Sequence, residues 1–310
     1  MSKLTYRIMR IKTILAFCTL VLLVVFGCVN DSKQKTEAKQ NLDNKLELGD
    51  NLNEEIISAK KVFYALPSPI ETAMLLKRAG TKYNAQLLNL TTNAEKYTTT
   101  RAKAINFGIY GADLSYASLF SQTQTSIDYM AVSKKLADEL GMTSFIEGNM
   151  VKRLETNINN RDSSMEIISD GFMNSSSFLK EAGRPETAAL IIAGGWIEGL
   201  YIACGLAKTS PNNSELVDRI IDQKMSLITL VSLLESFDEN EDITFMINKV
   251  NKIKAVYDKV QVVTSKIEPI TNDNLKVTTL QAKTEIFVSD EVFNELCETV
   301  NKIRMEIVSI

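Results

Sequence analysis

The chain has 310 residues, 45% of them hydrophobic and 24% charged, with only 13 glycines and 5 prolines. That is enough apolar material for one large or two modest cores, and few turn-formers to interrupt helices. It holds no histidine, which excludes Ser-His-Asp and Cys-His catalysis, histidine-ligated zinc or haem, and the Glu-x-x-His di-iron motif of carboxylate bundles. The formal net charge is −3; with the four basic residues of the first 27 set aside, 31 basic residues face 38 acidic ones. No basic stripe remains, so nucleic acid is not an expected partner.

The N-terminus carries the strongest local pattern. Lys3, Arg7, Arg10 and Lys12 precede an apolar run over residues 14–26, which ends Val25-Phe26-Gly27-Cys28. The run suits a signal-peptide core and is short for a membrane span of ~20 residues. Here about the first 30 residues resemble bacterial lipoprotein precursors, whose lipobox has an aliphatic residue at −3, a small one at −1 and an obligatory cysteine. Val25, Gly27 and Cys28 fit that pattern; Phe26 at −2 is bulkier than usual. The resemblance implies a signal peptide over 1–27, cleavage before Cys28, and lipidation of the Cys28 thiol. The lipid bilayer is then a partner through the acylated Cys28. Residues 28–52 are polar and rich in lysine and asparagine, the composition of a flexible tether. Val29 replaces the aspartate associated with inner-membrane retention, which implies the outer membrane, facing the periplasm. An ordinary signal peptide or an uncleaved anchor is the alternative.

From residue 53 to 310 the patterns predict an all-α domain: a multi-helix array around a buried, Gly-rich central helix at about 185–207. A first helix is expected over 54–66. Ser68-Pro69-Ile70-Glu71 reads as a capping box opening a helix that Gly80 stops. Further helices are expected over 81–90, 93–120, 126–140, 144–157 and 163–182, with Gly141 and Gly183 just past two of their ends. The central stretch, 184–207, opens with Pro185 and carries one charge between Ala188 and Ala207, Glu198. A helix apolar on every side must be surrounded. Gly195, Gly199 and Ala203 share a face, which predicts a closely approaching backbone. Asn213 is the expected N-cap of a helix over 214–237. Stripes over 241–260 and 290–309 could pair with each other or face one core. Residues 264–288 read as helix or as short strands, the strands placed near 274–288.

Two acids stand in apolar surroundings. Asp113 has Tyr110 and Tyr116 one turn away, and Glu198 has Tyr201 at the same offset. Such a carboxylate is costly unless hydrogen-bonded or paired. It is either a structural link to a tyrosine, lysine or arginine, or the polar floor of a small-molecule pocket with Trp196 as a platform. The candidate binding residues are therefore Asp113, Tyr116, Trp196, Glu198 and Tyr201, with the structural role favoured because no second catalytic group accompanies them. No calcium loop, Walker loop or dinucleotide fingerprint is present, so no metal or cofactor is expected. The polar cluster at Asn157, Asn159, Asn160, Arg161 and Asp162 reads as a solvated turn. A membrane span at 188–207 is disfavoured by the central Glu198. Cys204 and Cys297 are expected as two buried free thiols. A faint echo links residues 68–80 with 183–195, and Asp113-x-x-Tyr116 with Glu198-x-x-Tyr201, at unequal offsets that argue against a tandem repeat. The body resembles exported helical lipoproteins to which no activity is attached. The expected function is a non-enzymatic binding or scaffold domain for an envelope protein; the alternative is a solute- or signal-sensing domain.

Overall fold

Side-chain caps set most helix starts in the computed structural model, which describes residues 74, 77–78, 80–143, 150–210, 213–237, 239–264, 268–272, 277–281 and 284–310. The helices expected over 54–66 and 68–79 lie outside the described residues or at their edge. Helix α1 spans Thr100–Leu119, and its first turn is held by the Thr99 hydroxyl accepting from the Ala102 N–H. Helix α2 spans Thr123–Glu139. Between them Ser121 adopts φ 57°, a left-handed turn in a residue other than glycine. Helices α3, Met150–Asn157, and α4, Arg161–Glu181, are separated at Asn160, whose side chain caps α4. Helix α5 is the central one, Pro185–Thr209. Asn213 caps α6, Ser214–Glu235, and Asn240 caps α7, Glu241–Tyr257. Ser289 caps the last helix, α8, Asp290–Val308. Gly80, Gly141 and Gly183 all take the positive φ expected of helix-ending glycines.

Two expected helices are shorter or absent. Residues 81–90 form only a 3-10 turn at Ala85–Leu87, and the helix expected from 93 begins at Thr100 after a 3-10 turn at Thr91–Lys96. Tertiary partners explain the first case. The backbone at 82–90 bonds to side chains of α1 and α2: the Tyr116 hydroxyl takes the Asn84 N–H, Asp113 takes the Asn89 N–H, and Tyr110 and Tyr129 donate to the carbonyls of Leu90 and Asn89. Those groups are not free to form a helical ladder.

Between α7 and α8 the chain forms strands β1 (Gln261–Thr264), β2 (Glu268–Asn272), β3 (Val277–Gln281) and β4 (Thr284–Phe287). β2 pairs antiparallel with β3, and β1 with β4, so the ribbon nests one pair beyond the other. It begins earlier than the 274–288 expected from sequence.

The body is all-α around α5, against which α1, α4, α6, α7 and α8 pack. Long and apolar enough to cross a membrane, α5 has 89% of its apolar window buried inside the protein. The stripes of α7 and α8 touch each other and also reach α5, so both face one core. The tightest approach joins α5 to α1. A Cβ on Gly194 would fall 2.0 Å from the Ile105 carbonyl oxygen, and one on Gly108 would fall 1.9 Å from that of Ile191. The two backbones therefore touch where only glycine fits. This is one residue before the glycine face expected from sequence, and Gly195 borders the same crossing through its N–H, 2.8 Å from the Gly108 position.

Candidate functional site

The two acids singled out by sequence come together a short way past that crossing. Asp113 on α1 and Glu198 on α5 are both fully buried, and their carboxyl groups lie within hydrogen-bonding reach of each other. Their common counter-charge is Arg304 on α8, 5% exposed. Its Nε and Nη2 each donate to one Glu198 oxygen at 2.9 Å, the bidentate fork of an arginine–carboxylate pair. Nη2 also reaches the Leu87 carbonyl at 3.5 Å, and the guanidinium lies 4.6 Å from the centre of the Tyr201 ring.

Electrostatics divide the labour between the acids. Burial, and then the Glu198 carboxylate, push the Asp113 pKa well above its ordinary value, against the pull of Arg304 and the Asn89 N–H. Asp113 is thus the acid whose protonated form the site favours. Its Oδ2 accepts from the Asn89 N–H at 3.1 Å, while Oδ1 receives no donor from the protein. A proton on that carboxyl, donated to Glu198, satisfies both acids. Burial works against the Arg304 charge, but the Glu198 carboxylate outweighs it and the net shift is upward.

Asn89 organises the neighbourhood. Besides its N–H to Asp113, its amide donates to the Tyr97 hydroxyl at 3.0 Å, its carbonyl accepts from Tyr129 at 2.6 Å, and its side-chain oxygen accepts from Asn93 at 2.8 Å. Tyr97 in turn donates to the Val308 carbonyl at 3.2 Å. Burial raises the pKa of Tyr97, Tyr110 and Tyr129, so all three remain neutral hydrogen-bonding groups.

The sequence candidates divide accordingly. Asp113, Glu198 and Tyr201 meet around Arg304. Tyr116 does not join them: its hydroxyl accepts from the Asn84 N–H at 2.9 Å, its ring stacks on Tyr83, and burial pushes its pKa up to about 12. A tyrosine is too long to stop at a carboxylate one turn away, so neither acid takes its bond from the tyrosine on its own helix. Trp196 is buried, with an Nε1 that finds no acceptor. Sequence reasoning missed Arg304 and Asn89. The signal for Arg304 was present: it follows Ile303 on the face of α8 that carries Val300 and Ile307, all buried.

Two surface clefts lie elsewhere. One, of about 480 Å³, is lined by Met74, Lys77, Arg78, Leu119, Arg161 and Met165 among others. The second, of about 390 Å³, runs between α7 and α8 under Lys252, Lys259 and Lys302. Lys259 is engaged by Glu295 at 2.5 Å, and Lys249 beside the cleft pairs with Glu306. Among the described residues no group of three or more His, Cys, Asp or Glu is arranged to hold a metal ion. No family model, curated protein or solved structure matches the chain.

Proposed function

We propose that this chain is a lipid-anchored envelope lipoprotein whose helical body acts as a non-enzymatic binding or scaffold domain. The observation that carries the reading is that the buried acids find their partners within the chain. Glu198 is gripped by Arg304, and Asp113 accepts from the Asn89 N–H, both inside the body. They serve the frame and leave recognition to the outer surface. The anchor rests on the lipobox-like Val25-Phe26-Gly27-Cys28, which lies outside the described residues. Changing Cys28→Ser is expected to abolish incorporation of labelled palmitate and to leave unprocessed precursor; equal labelling of both chains refutes the anchor. Affinity capture from the envelope is expected to yield a stoichiometric protein partner.

A solute- or signal-sensing domain is the second reading. It is favoured by the Trp196 Nε1, a buried donor that finds no acceptor. Native mass spectrometry separates the two. A small molecule that co-purifies with the chain and is lost on Trp196→Phe would replace the scaffold reading with the sensing one.

A further inference from the structure

Helices α5 and α8 carry a second meeting point besides the ion pair. Glu198 and Arg304 fix these helices side by side. Six residues further along α5 stands Cys204, and seven residues back along α8 stands Cys297. At a rise of about 1.5 Å per residue Cys204 lies roughly 9 Å and Cys297 roughly 10.5 Å beyond the ion pair, in the same direction because the helices run antiparallel. Both thiols are free and buried, and they stand near enough for the Cys297 thiol to act on that of Cys204. Tyr257 of α7 stands beside both sulfurs, with its hydroxyl bonded to the Ile220 carbonyl at 2.7 Å.

We propose that Cys204 and Cys297 are a disulfide-forming pair, a covalent modification site at which α8 is stapled to α5 under oxidising conditions. Burial pushes the Cys204 thiol well up, and both sulfurs are buried in the closed fold, out of reach of an external disulfide. Exchange therefore takes place while the chain is open, before α8 docks. One cysteine thiolate attacks an external disulfide, of which oxidised glutathione is the simple case. It forms a mixed disulfide and expels one glutathione thiolate. The second cysteine thiolate attacks the protein sulfur of that mixed disulfide and expels the other. Two protein thiols and one glutathione disulfide become one protein disulfide and two glutathione thiols; two electrons and two protons pass to glutathione. The bond closes the long loop from 204 to 297, where a crosslink restricts the unfolded chain strongly.

The test uses the full chain, unfolded and refolded in a mixture of reduced and oxidised glutathione, then digested without reduction. The expected product is a linked peptide containing Cys204 and Cys297, two hydrogens lighter than the paired thiols. The linked protein is expected to melt roughly 5–10 °C above the reduced one. The double variant Cys204→Ala/Cys297→Ala should melt at one temperature in both buffers. Peptide mapping of the wild type decides the matter even where a variant fails to fold. Both thiols remaining open to alkylation after refolding would overturn the proposal. So would Cys204 or Cys297 linked instead to Cys18 or Cys28, or a linked form that melts no higher than the reduced one.

Discussion

Helix α5 meets α1 and α8 by opposite means. Against α1 the contact is an absence: Gly194 and Gly108 leave out the Cβ atoms that would strike the opposing carbonyls at 2.0 and 1.9 Å. Against α8 the contact is a presence: a charged fork at Glu198 and Arg304, and further along two facing thiols. The first seam is shape alone and indifferent to pH. The second is chemistry, and it depends on charge, proton and redox state. Asp113 links the two, since it sits on α1 yet shares its proton with the acid of the α5–α8 seam.

The largest way to break this contrast is to remove the acid of the ion pair. Glu198→Leu leaves Arg304 buried without the carboxylate that its guanidinium grips, and an arginine does not shed its charge in a protein. A loss of about 3–5 kcal/mol in urea unfolding is expected. Arg304→Met removes the charge that cannot be shed and should lose less. The double variant Glu198→Leu/Arg304→Met should regain most of the loss; if it melts with Glu198→Leu, the pair is not the reason for either defect.

Next in size is the seam of shape. Gly194→Ala gains about 1 kcal/mol of helix propensity yet drives a methyl into a backbone carbonyl that has no rotamer to change. A net loss of roughly 3 kcal/mol is expected, and the same for Gly108→Ala. Neither loss should vary between pH 5 and pH 8. Unchanged denaturant midpoints would mean that the helices slide apart at no cost.

The proton on Asp113 gives a smaller, directional effect. Its unfolded pKa is near 3.8 and its folded value is raised well above that by burial. Between the two values the folded chain binds more protons than the unfolded one, so stability falls as pH rises through that window and levels off above the folded pKa. Below pH 3.8 the contribution is complete. Asp113→Asn keeps an acceptor for the Asn89 N–H and a donor for Glu198, so it should fold and flatten that slope. A slope identical to wild type would assign the pH dependence to other groups.

The smallest effect is expected at Gly205. A Cβ there meets only the Leu87 side chain, at 2.4 Å. Because the obstacle is the end of a half-buried side chain rather than backbone, Gly205→Ala should change stability by less than about 1 kcal/mol, the propensity gain offsetting the displaced side chain.

Local chemistry was readable in the sequence, and partnership was not. Asn213, Ser289, Gly141 and Gly183 act at helix ends as their residue types dictate. The central helix was legible because twenty residues with one charge have no other home in a folded body. The glycine that matters most was displaced by one, since the partner chooses which glycine is used, and Gly108 lies 86 residues away. The unequal echo between Asp113-x-x-Tyr116 and Glu198-x-x-Tyr201 has a spatial counterpart in two helices that cross reciprocally at glycine and present an acid shortly afterwards. The two tyrosines nonetheless do different work. The helix expected over 81–90 failed because side chains from α1 and α2 claimed its backbone, a competition no local pattern reveals.

The place of Arg304 also sets the timing of folding. It stands 106 residues after the acid it neutralises. A chain made or threaded from its N-terminus presents α1 and α5 long before α8 exists. Through that interval Glu198 faces an apolar crevice with no cation, and the flank of α5 that α8 covers lies open. Native closure must wait for the final helix, because contacts this distant along the chain form late. The half-made body is accordingly the species most exposed to aggregation. A chain cut before α8 would lose the bolt that locks α5 in place.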